Sequence, residues 1–166
     1  VASGGTITNS GTATGFGSDN TPAFMASLSS AQTGISSDTY TKVTFNSEIY
    51  DTDSAYDATT NYRFTVPAGE GGTYLVYMQV SQGNDNNSQN NMNENTVVLY
   101  LNGSIHMNSF GYSRSTYRRI NMQAFSVGIA LSAGDYIECY TKIVIPSGNA
   151  NVGEYSLWGA HKLIGV

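Results

Sequence analysis

Two histidines are the only side chains in this sequence that could exchange protons near neutral pH. His106 lies close to a predicted hairpin turn, and His161 lies in the predicted closing strand. Neither stands at the spacing of a catalytic triad, a zinc site or a nucleophile elbow. We therefore expect both to be surface or interface histidines.

Three aspartates in one turn-rich segment are the other candidates for acid–base chemistry. Asp51, Asp53 and Asp57 are close enough in sequence to form the paired carboxylates of a glycoside hydrolase. Aspartate also favours turns, because its carboxylate accepts hydrogen bonds from its own backbone. We prefer the turn interpretation, and the sequence predicts a protein that is not an enzyme.

The single cysteine, Cys139, excludes a disulfide within this chain. It alternates with Ile137, Thr141 and Ile143, as expected of a strand with one buried face. This pattern predicts a buried structural thiol rather than a nucleophile.

Composition narrows the class of protein. The 166 residues suffice for one domain, and only 11% of them are charged, so most of the surface polarity comes from Asn, Ser, Thr and Gly. The net charge of −5 argues against a nucleic-acid partner, which requires a basic stripe. No apolar run is long enough for membrane insertion, and no signal peptide is recognisable.

The secondary structure that would position any site consists of β-strands. The segment 61–80 contains the two clearest of these predicted strands. Tyr62–Val66 and Tyr74–Val80 are β-favouring, and Pro67–Gly72 between them predicts a turn that makes them a hairpin. The first run alternates, whereas the second is apolar on both faces. A strand with two apolar faces belongs in the middle of a sheet whose outer side is also covered. With no helix predicted, another copy of the chain is the expected cover.

The rest of the chain divides into short strands and polar connections. Residues 1–20 form a Gly/Ser/Thr-rich leader or linker, and residues 21–166 form one domain. Asn102–Gly103 predicts a tight hairpin turn after the apolar run Val97–Leu101. We expect a break near Ala124 in the run Tyr117–Leu131, which is long for one strand. Long polar loops are predicted at Ser81–Asn95, Met107–Thr116 and Pro146–Gly153. Short strands with regular turns indicate an all-β sandwich or jelly roll.

Over residues 22–166 the sequence resembles the C1q-like globular heads, which are related to the tumour necrosis factor (TNF) superfamily. The residues that carry the resemblance are Pro22, Ala23, Phe24, Ala26, Tyr56, Asp57, Tyr62, Phe64, Pro67, Gly72, Tyr74, Val97, Leu99, Asn102, Leu131–Asp135, Ile137, Ser156, Trp158 and Leu163. The resemblance implies a two-sheet jelly roll of about ten strands that assembles as a homotrimeric binding head. The sequence departs from it at Trp158, where phenylalanine is usual, and at His161 and Lys162, which replace apolar residues. The chain also lacks a collagen-like stalk, and its Asn/Ser/Thr-rich surface is similar to heads at the tips of bacteriophage fibres.

Two sets of residues are predicted to form contacts, apart from a calcium site. Candidates for the trimer interface are Leu75, Tyr77, Val98, Tyr100, Tyr136, Tyr140 and Trp158. Candidates for ligand binding, all assigned to the three long loops or just after them, are Asp85, Asn87, Asn91, Tyr112, Arg114, Tyr117, Arg118, Asn149 and Asn151. Tyrosine and arginine are enriched at binding hot spots, although ordinary loop polarity explains the same pattern.

Calcium is the one candidate cofactor. Some C1q-like heads bind Ca²⁺ near the trimer apex, and Ca²⁺ requires several oxygen ligands. The acids that could contribute are Asp85, Glu94 and Asp135, and none of them belongs to a recognisable calcium loop. A solvated polar loop is the alternative.

The sequence thus favours a virion fibre tip that binds a cell-surface glycan or protein through its loops. The alternatives are a capsid decoration or trimerisation knob without host recognition, and a secreted lectin-like or cytokine-like ligand of a cellular organism. Each of these places the protein on the virion surface or outside the cell.

Overall fold

A computed structural model describes residues 20–84, 92–112 and 120–163, which contain thirteen β-strands and no helix. In chain order the strands are β1 (Ala23–Ser27), β2 (Gln32–Ile35), β3 (Thr41–Lys42), β4 (Ser47–Asp51), β5 (Tyr56–Asp57), β6 (Arg63–Thr65), β7 (Gly72–Asn84), β8 (Glu94–Leu101), β9 (Ser104–Tyr112), β10 (Ile120–Leu131), β11 (Tyr136–Val144), β12 (Ala150–Val152) and β13 (Leu157–Lys162). Within these described ranges, no helix is long and apolar enough to cross a membrane.

The strands form two antiparallel sheets, as an all-β jelly roll requires. Sheet I has the order β2-β12-β7-β13-β1-β4, and β10 pairs with the other edge of β7. Sheet II has the order β5-β6-β11-β8-β9, and β3 pairs with β11 beside β6. The central strands are therefore β7 and β13 in sheet I and β11 and β8 in sheet II.

The core between the sheets is built on a cluster of aromatic rings. Phe24 of β1 stacks on Tyr56 and Phe64, with ring centroids 4.8 and 4.9 Å away. The Trp158 ring packs edge-on against Phe24 at 4.9 Å, and its Nε1 donates a hydrogen bond to the Tyr56 hydroxyl (3.4 Å). The Tyr56 hydroxyl in turn donates to the Phe45 carbonyl (2.7 Å). Each polar atom that an aromatic side chain brings into this core has a partner, so burial of the rings leaves no uncompensated cost.

The alternation of β7 confirms the predicted core face but not the predicted hairpin. Tyr74, Val76 and Met78 are buried, whereas Leu75 and Tyr77 on the other face are half-buried. However, β6 belongs to sheet II and β7 to sheet I, so residues 66–71 cross between the sheets instead of closing a hairpin. Local turn chemistry predicted the reversal of direction, and hydrogen-bond partners far away in sequence decided which sheet each strand joined.

The prediction for the second hairpin is confirmed. Residues Asn102 and Gly103 connect β8 to β9 with φ angles of 50° and 78°, in the left-handed region that Asn and Gly tolerate best. The side chain of Asn102 also bonds to the neighbouring turn, because its Nδ2 donates to the Asp135 carboxylate (2.8 Å).

Four predictions about loops and breaks were wrong, one of them the loop Pro146–Gly153, which contains β12. Ser81–Asn84, at the start of the predicted loop Ser81–Asn95, continue β7 and are buried, and Met92 and Asn95 are buried too. Strand β9 extends through residue 112, where a loop was expected. Strand β10 pairs with β7 from Ile120 to Leu131 in continuous register, so there is no break at Ala124. Asn, Ser and Gly lowered the β propensity of these stretches, but pairing with a long neighbouring strand overrode it.

The buried polar residues of these stretches satisfy one another. The Gln82 amide nitrogen donates to the Thr141 hydroxyl (2.6 Å) and to the Thr96 carbonyl (3.0 Å), and its oxygen accepts from Asn95 Nδ2 (2.8 Å). Gln82 lies on β7 in sheet I, whereas Asn95 and Thr141 lie on sheet II. One end of the core is therefore closed by hydrogen bonds between the sheets instead of by apolar packing.

Candidate functional site

The three aspartates considered for catalysis are used in turns. The Asp57 carboxylate accepts hydrogen bonds from the backbone amides of Thr59, Thr60 and Asn61 and from the Asn61 side chain, at 2.8–3.0 Å. These bonds, first those from Thr60 and Thr59, hold the pKa of Asp57 well below its usual range. Asp51 similarly accepts from the Tyr56 amide (2.8 Å). A carboxylate held ionised by its own turn is unsuited to act as a general acid.

Neither the histidines nor the cysteine is arranged for catalysis. His106 is exposed on β9, and His161 is half-buried on β13 beside the Tyr77 ring, with a centroid separation of 6.2 Å. Cys139 is fully buried, and this burial raises the pKa of its thiol, as predicted for a structural cysteine.

The calcium candidates within the described residues do not lie together. Glu94 begins β8 and forms an ion pair with Lys142 (3.7 Å). Asp135 accepts hydrogen bonds from the Asn102 side chain and from the Ser132 amide, and these bonds lower its pKa. Asn102 comes directly after the last residue of β8, so Asp135 lies at the opposite end of that strand from Glu94. The eight residue-to-residue steps from Glu94 to Asn102 span roughly 26 Å in a strand, too far for two ligands of one ion. Asp85 lies outside the described residues, so calcium binding stays a prediction.

The outer side of sheet I, which we call the sheet I face, carries Leu75 and Tyr77 on β7, Leu157 and His161 on β13, and Ile49 and Tyr50 on β4. Across it, the Tyr77 and Tyr50 hydroxyls are hydrogen bonded (3.0 Å). A shallow groove of about 350 Å³ lies between β7, β10 and β13, lined by Tyr77, Gln79, Ala124 and Leu157 among others. The face is therefore apolar, partly ordered by hydrogen bonds and open to a partner.

Beside this face the sandwich has an open edge, formed by β9 of sheet II and β10 of sheet I. Among the described residues, each of these strands pairs with one other strand only. Strand β9 pairs with β8, and strand β10 pairs with β7. Six of the large apolar side chains that remain exposed lie on these two strands, namely Ile105, Met107, Phe110, Tyr112, Ile120 and Met122. Sequence reasoning missed this edge because Asn, Ser and Gly interrupt the apolar residues, although Met107, Phe110 and Tyr112 were a usable signal of a strand.

The outer side of sheet II, the sheet II face, carries four of the predicted interface residues, of which the three tyrosines are half-buried and Val98 is fully buried. Tyr100 of β8 stacks on Tyr140 of β11, with ring centroids 4.0 Å apart. Tyr136 lies four residues before Tyr140 on β11, and the Arg63 guanidinium lies over its ring, 4.3 Å from the ring centroid. Leu75 and Tyr77 lie on the other side of the sandwich. The structure therefore divides the predicted interface between two opposite faces instead of forming one patch.

Two of the predicted interface residues are wrong. Trp158 faces the aromatic core and is fully buried within one chain, so it has no surface left for a second copy. Val98 points away from the core in β8 but is also fully buried, between the neighbouring strands β9 and β11. In both cases side chains of the same chain supply the cover that the sequence analysis assigned to another copy.

Most of the predicted ligand-binding loop residues cannot be placed. Asp85, Asn87, Asn91, Arg114, Tyr117 and Arg118 lie outside the described residues. Of the others, Tyr112 is exposed at the end of β9 rather than in a loop, Asn149 is exposed in the connection between β11 and β12, and Asn151 belongs to β12 and is half-buried. Ligand binding by these loops stays a prediction.

Comparison with known proteins gives a result for the fold alone. No family model and no curated protein sequence matches this chain. Among solved structures, murine APRIL at pH 5.0 matches with a TM-score of 0.59 and 18% sequence identity. The match covers 85% of this chain and 98% of the APRIL chain. The Eiger TNF from S. frugiperda also has a TM-score of 0.59, with 17% identity over 87% of this chain and 92% of its own. The globular domain of zebrafish complement 1qA has a TM-score of 0.57, with 14% identity over 86% of this chain and 97% of its own. The chain is therefore an all-β jelly roll of the C1q/TNF type.

Proposed function

We propose that this chain is one subunit of a homotrimeric binding head. The observation that carries the proposal is the pair of apolar surfaces, the sheet I face and the open edge, which meet at β10. Long unpaired edge strands with exposed apolar side chains are aggregation sites unless something covers them. A closed ring of three copies covers them, since each copy places its open edge against the sheet I face of the next.

The geometry suits threefold rather than twofold assembly. A twofold interface uses the same patch on both subunits, whereas a cyclic trimer joins two different patches of one chain. Here the two apolar surfaces differ in shape, because one is a broad sheet face with a groove and the other is a narrow strand edge. The C1q/TNF-like fold supports the same assembly, which its resemblance to those heads implies.

Three copies of one site on a rigid head act together. Avidity can exceed the affinity of a single site by roughly 10²–10⁴-fold when all sites engage one surface. We place the head at the tip of a virion fibre or another extracellular position, where it binds a cell-surface glycan or protein. The support is the low charge and the Asn-, Ser- and Thr-rich composition, which make a hydrogen-bonding surface.

A purely structural knob, which registers three chains and recognises no host, is the second candidate function. It is favoured by the same apolar surfaces, which explain assembly without a ligand. The third, a secreted ligand of a cellular organism, is favoured only by the fold.

Two measurements test the proposal. Light scattering of the purified chain at micromolar concentration should give three times the chain mass of 17.7 kDa, and a monomer mass would overturn the trimer.

Replacing residues 146–149, 85–91 or 113–119 should abolish binding of the trimer to host cells. Intact trimers of the wild-type chain that do not bind host cells would favour the structural knob.

A further inference from the structure

The sheet II face concentrates the positive side chains of an acidic protein. Lys42, Arg63 and Lys142 all lie on it, and they are three of the four Lys and Arg residues in the described ranges. The chain as a whole has a net charge of −5. At physiological ionic strength charges are screened beyond about 8 Å, so an anionic group of a partner responds to the charges close to its own contact rather than to the net charge of the chain.

Pairing within the chain neutralises two of these cations and leaves the third. Lys42 forms an ion pair with the buried Glu138, and Lys142 pairs with Asp38 (2.8 Å) and Glu94 (3.7 Å). Among the described residues, Arg63 has no carboxylate partner. Its guanidinium is instead held over the Tyr136 ring at 4.3 Å. Its donors have no hydrogen-bond acceptor among the described residues and can bind an acceptor outside the chain, in an orientation fixed by the ring.

Further tyrosines lie along the same face, beyond the Tyr136 ring that holds the guanidinium. Tyr100 and Tyr140 stack on each other at 4.0 Å, and the ammonium groups of Lys42 and Lys142 lie 5.7 Å from the centres of the Tyr140 and Tyr40 rings. Each ring is ordered by a neighbour before any partner arrives, so binding would cost little side-chain entropy. The result is a set of ordered half-exposed rings with hydroxyl edges and one unpaired guanidinium.

These features together match an acidic sugar. A pyranose ring presents C–H groups on one side and hydroxyls around its rim, which suits the apolar ring and the hydroxyl of tyrosine. A carboxylate or sulfate on that sugar suits the guanidinium fork of Arg63, which binds such groups through two parallel hydrogen bonds. A protein partner is less well matched, since the centre of a protein interface usually depends on apolar anchors in desolvated pockets. Here the apolar residue at the centre of the face, Val98, is already buried.

We infer that the sheet II face around Arg63 and Tyr136 is a binding site for anionic carbohydrate. The inference rests on the proposed function in one respect, since it gives the binding head its ligand class and its site. It differs from the loop prediction in placing the contact on a strand face. In the proposed trimer the sheet I face and the open edge are covered, and the sheet II face stays accessible on each subunit.

The test uses the 166-residue chain on an array that carries carboxylated and sulfated glycans beside their neutral parent glycans. We expect binding to at least one anionic glycan and loss of at least about tenfold in affinity in Arg63→Gln, as expected when hydrogen bonds to a charged group are removed. Arg63→Lys, which keeps the charge but loses the fork, should fall between the two. The matched control is Lys162→Gln, which removes the described cation that lies off this face, and its affinity should not change.

Several outcomes would overturn the inference. The inference is wrong if the chain binds only neutral glycans, or if Arg63→Gln leaves the affinity for anionic glycans unchanged. It is also wrong if the chain binds poly-L-glutamate, which carries carboxylates without sugar rings, as well as it binds anionic glycans. If Arg63→Gln binds normally while replacement of residues 146–149 abolishes binding, the binding head stands and this site is wrong. If the wild-type chain binds neither glycans nor host cells, both proposals fail. Thermal unfolding of Arg63→Gln within about 2 °C of wild type, as for most surface substitutions, shows that any loss is local.

Discussion

The Tyr77 ring lies directly over Gly159 on the outer side of sheet I. The two residues are paired across β7 and β13, and a Cβ atom added at residue 159 would collide with the Tyr77 ring and with the backbone carbonyl oxygen of Phe24. The absence of a side chain at Gly159 thus lets Tyr77 lie across the sheet and reach the Tyr50 hydroxyl at 3.0 Å. This packing flattens the face that we assign to the trimer interface.

The first prediction tests that packing. Gly159→Ala should lower the free energy of unfolding by about 1–3 kcal/mol, because overpacking displaces Tyr77 and strains β1. Chemical denaturation monitored by fluorescence measures the change. The matched control is Gly128→Ala on β10, where an added Cβ meets nothing within 4 Å. Equal effects of the two substitutions would show that Tyr77 is not held by Gly159.

The second prediction tests the assignment of the interface. Tyr77→Asp should convert the trimer to monomers, because it leaves a charge in a desolvated contact between copies. Tyr100→Asp, which the sequence analysis expected to act in the same way, should leave the trimer intact, because Tyr100 lies on the sheet II face. Light scattering gives the mass of each variant.

Since Tyr77→Asp could also weaken the chain itself, Met122→Asp on the exposed part of β10 provides a second variant. This substitution should change the stability of a single copy little, because Met122 is exposed there. It should also dissociate the trimer. Trimers in both variants would mean that neither the sheet I face nor the open edge is the interface.

The third prediction concerns Trp158, which the structure moves from the interface to the core. Trp158→Phe should lower the free energy of unfolding by about 1–3 kcal/mol through loss of packing and of the hydrogen bond to Tyr56. The mass of the assembly should not change. A variant of full stability that no longer forms trimers would restore Trp158 to the interface.

The fourth prediction tests the hydrogen bonds that close one end of the core. Gln82→Leu should lower the free energy of unfolding by about 1–3 kcal/mol, since the amide of Asn95 loses its buried acceptor and the Thr141 hydroxyl and Thr96 carbonyl each lose a buried donor. Gln79→Leu changes the same residue type on the outer face of the same strand and should have an effect within about 0.5 kcal/mol. Urea denaturation of both variants makes the comparison, and a neutral Gln82→Leu would contradict it.

The fifth prediction concerns pH. The folded-state pKa of Asp57 lies below its ordinary value of 3.8, so its carboxylate stabilises the fold above that pH and stops doing so as the pH falls towards the folded-state pKa. Asp57→Ala should therefore cost about 1 kcal/mol at pH 7, from the lost turn hydrogen bonds, and progressively less below about pH 4.

Glu154→Ala, which removes an exposed carboxylate from another turn, is the matched control for that comparison. Its cost should be small at every pH. A cost of Asp57→Ala that stays constant from pH 7 to pH 2 would show that the charge on Asp57 is not responsible.

The sequence by itself determined the properties that depend on neighbouring residues. Alternation assigned Tyr74, Val76 and Met78 to the core and Leu75 and Tyr77 to the outer side, because successive side chains of a strand point in opposite directions. Asn102–Gly103 determined a tight turn, because few other residues accept its φ angles. The jelly-roll class followed from these short strands and turns together with the resemblance to C1q-like heads.

The tertiary structure alone decided which strands are neighbours and on which side of the sandwich each strand face lies. Tyr77 and Tyr100 have the same pattern in sequence, yet they lie on opposite sides of the sandwich, because β7 and β8 pair with different strands. Trp158 was predicted at the interface and lies in the core, and the run after Ser81 was predicted to be a loop and continues a strand. In each case hydrogen bonds and packing between residues far apart in the chain outweighed local preference, and a periodicity of two residues carries no information about distant partners.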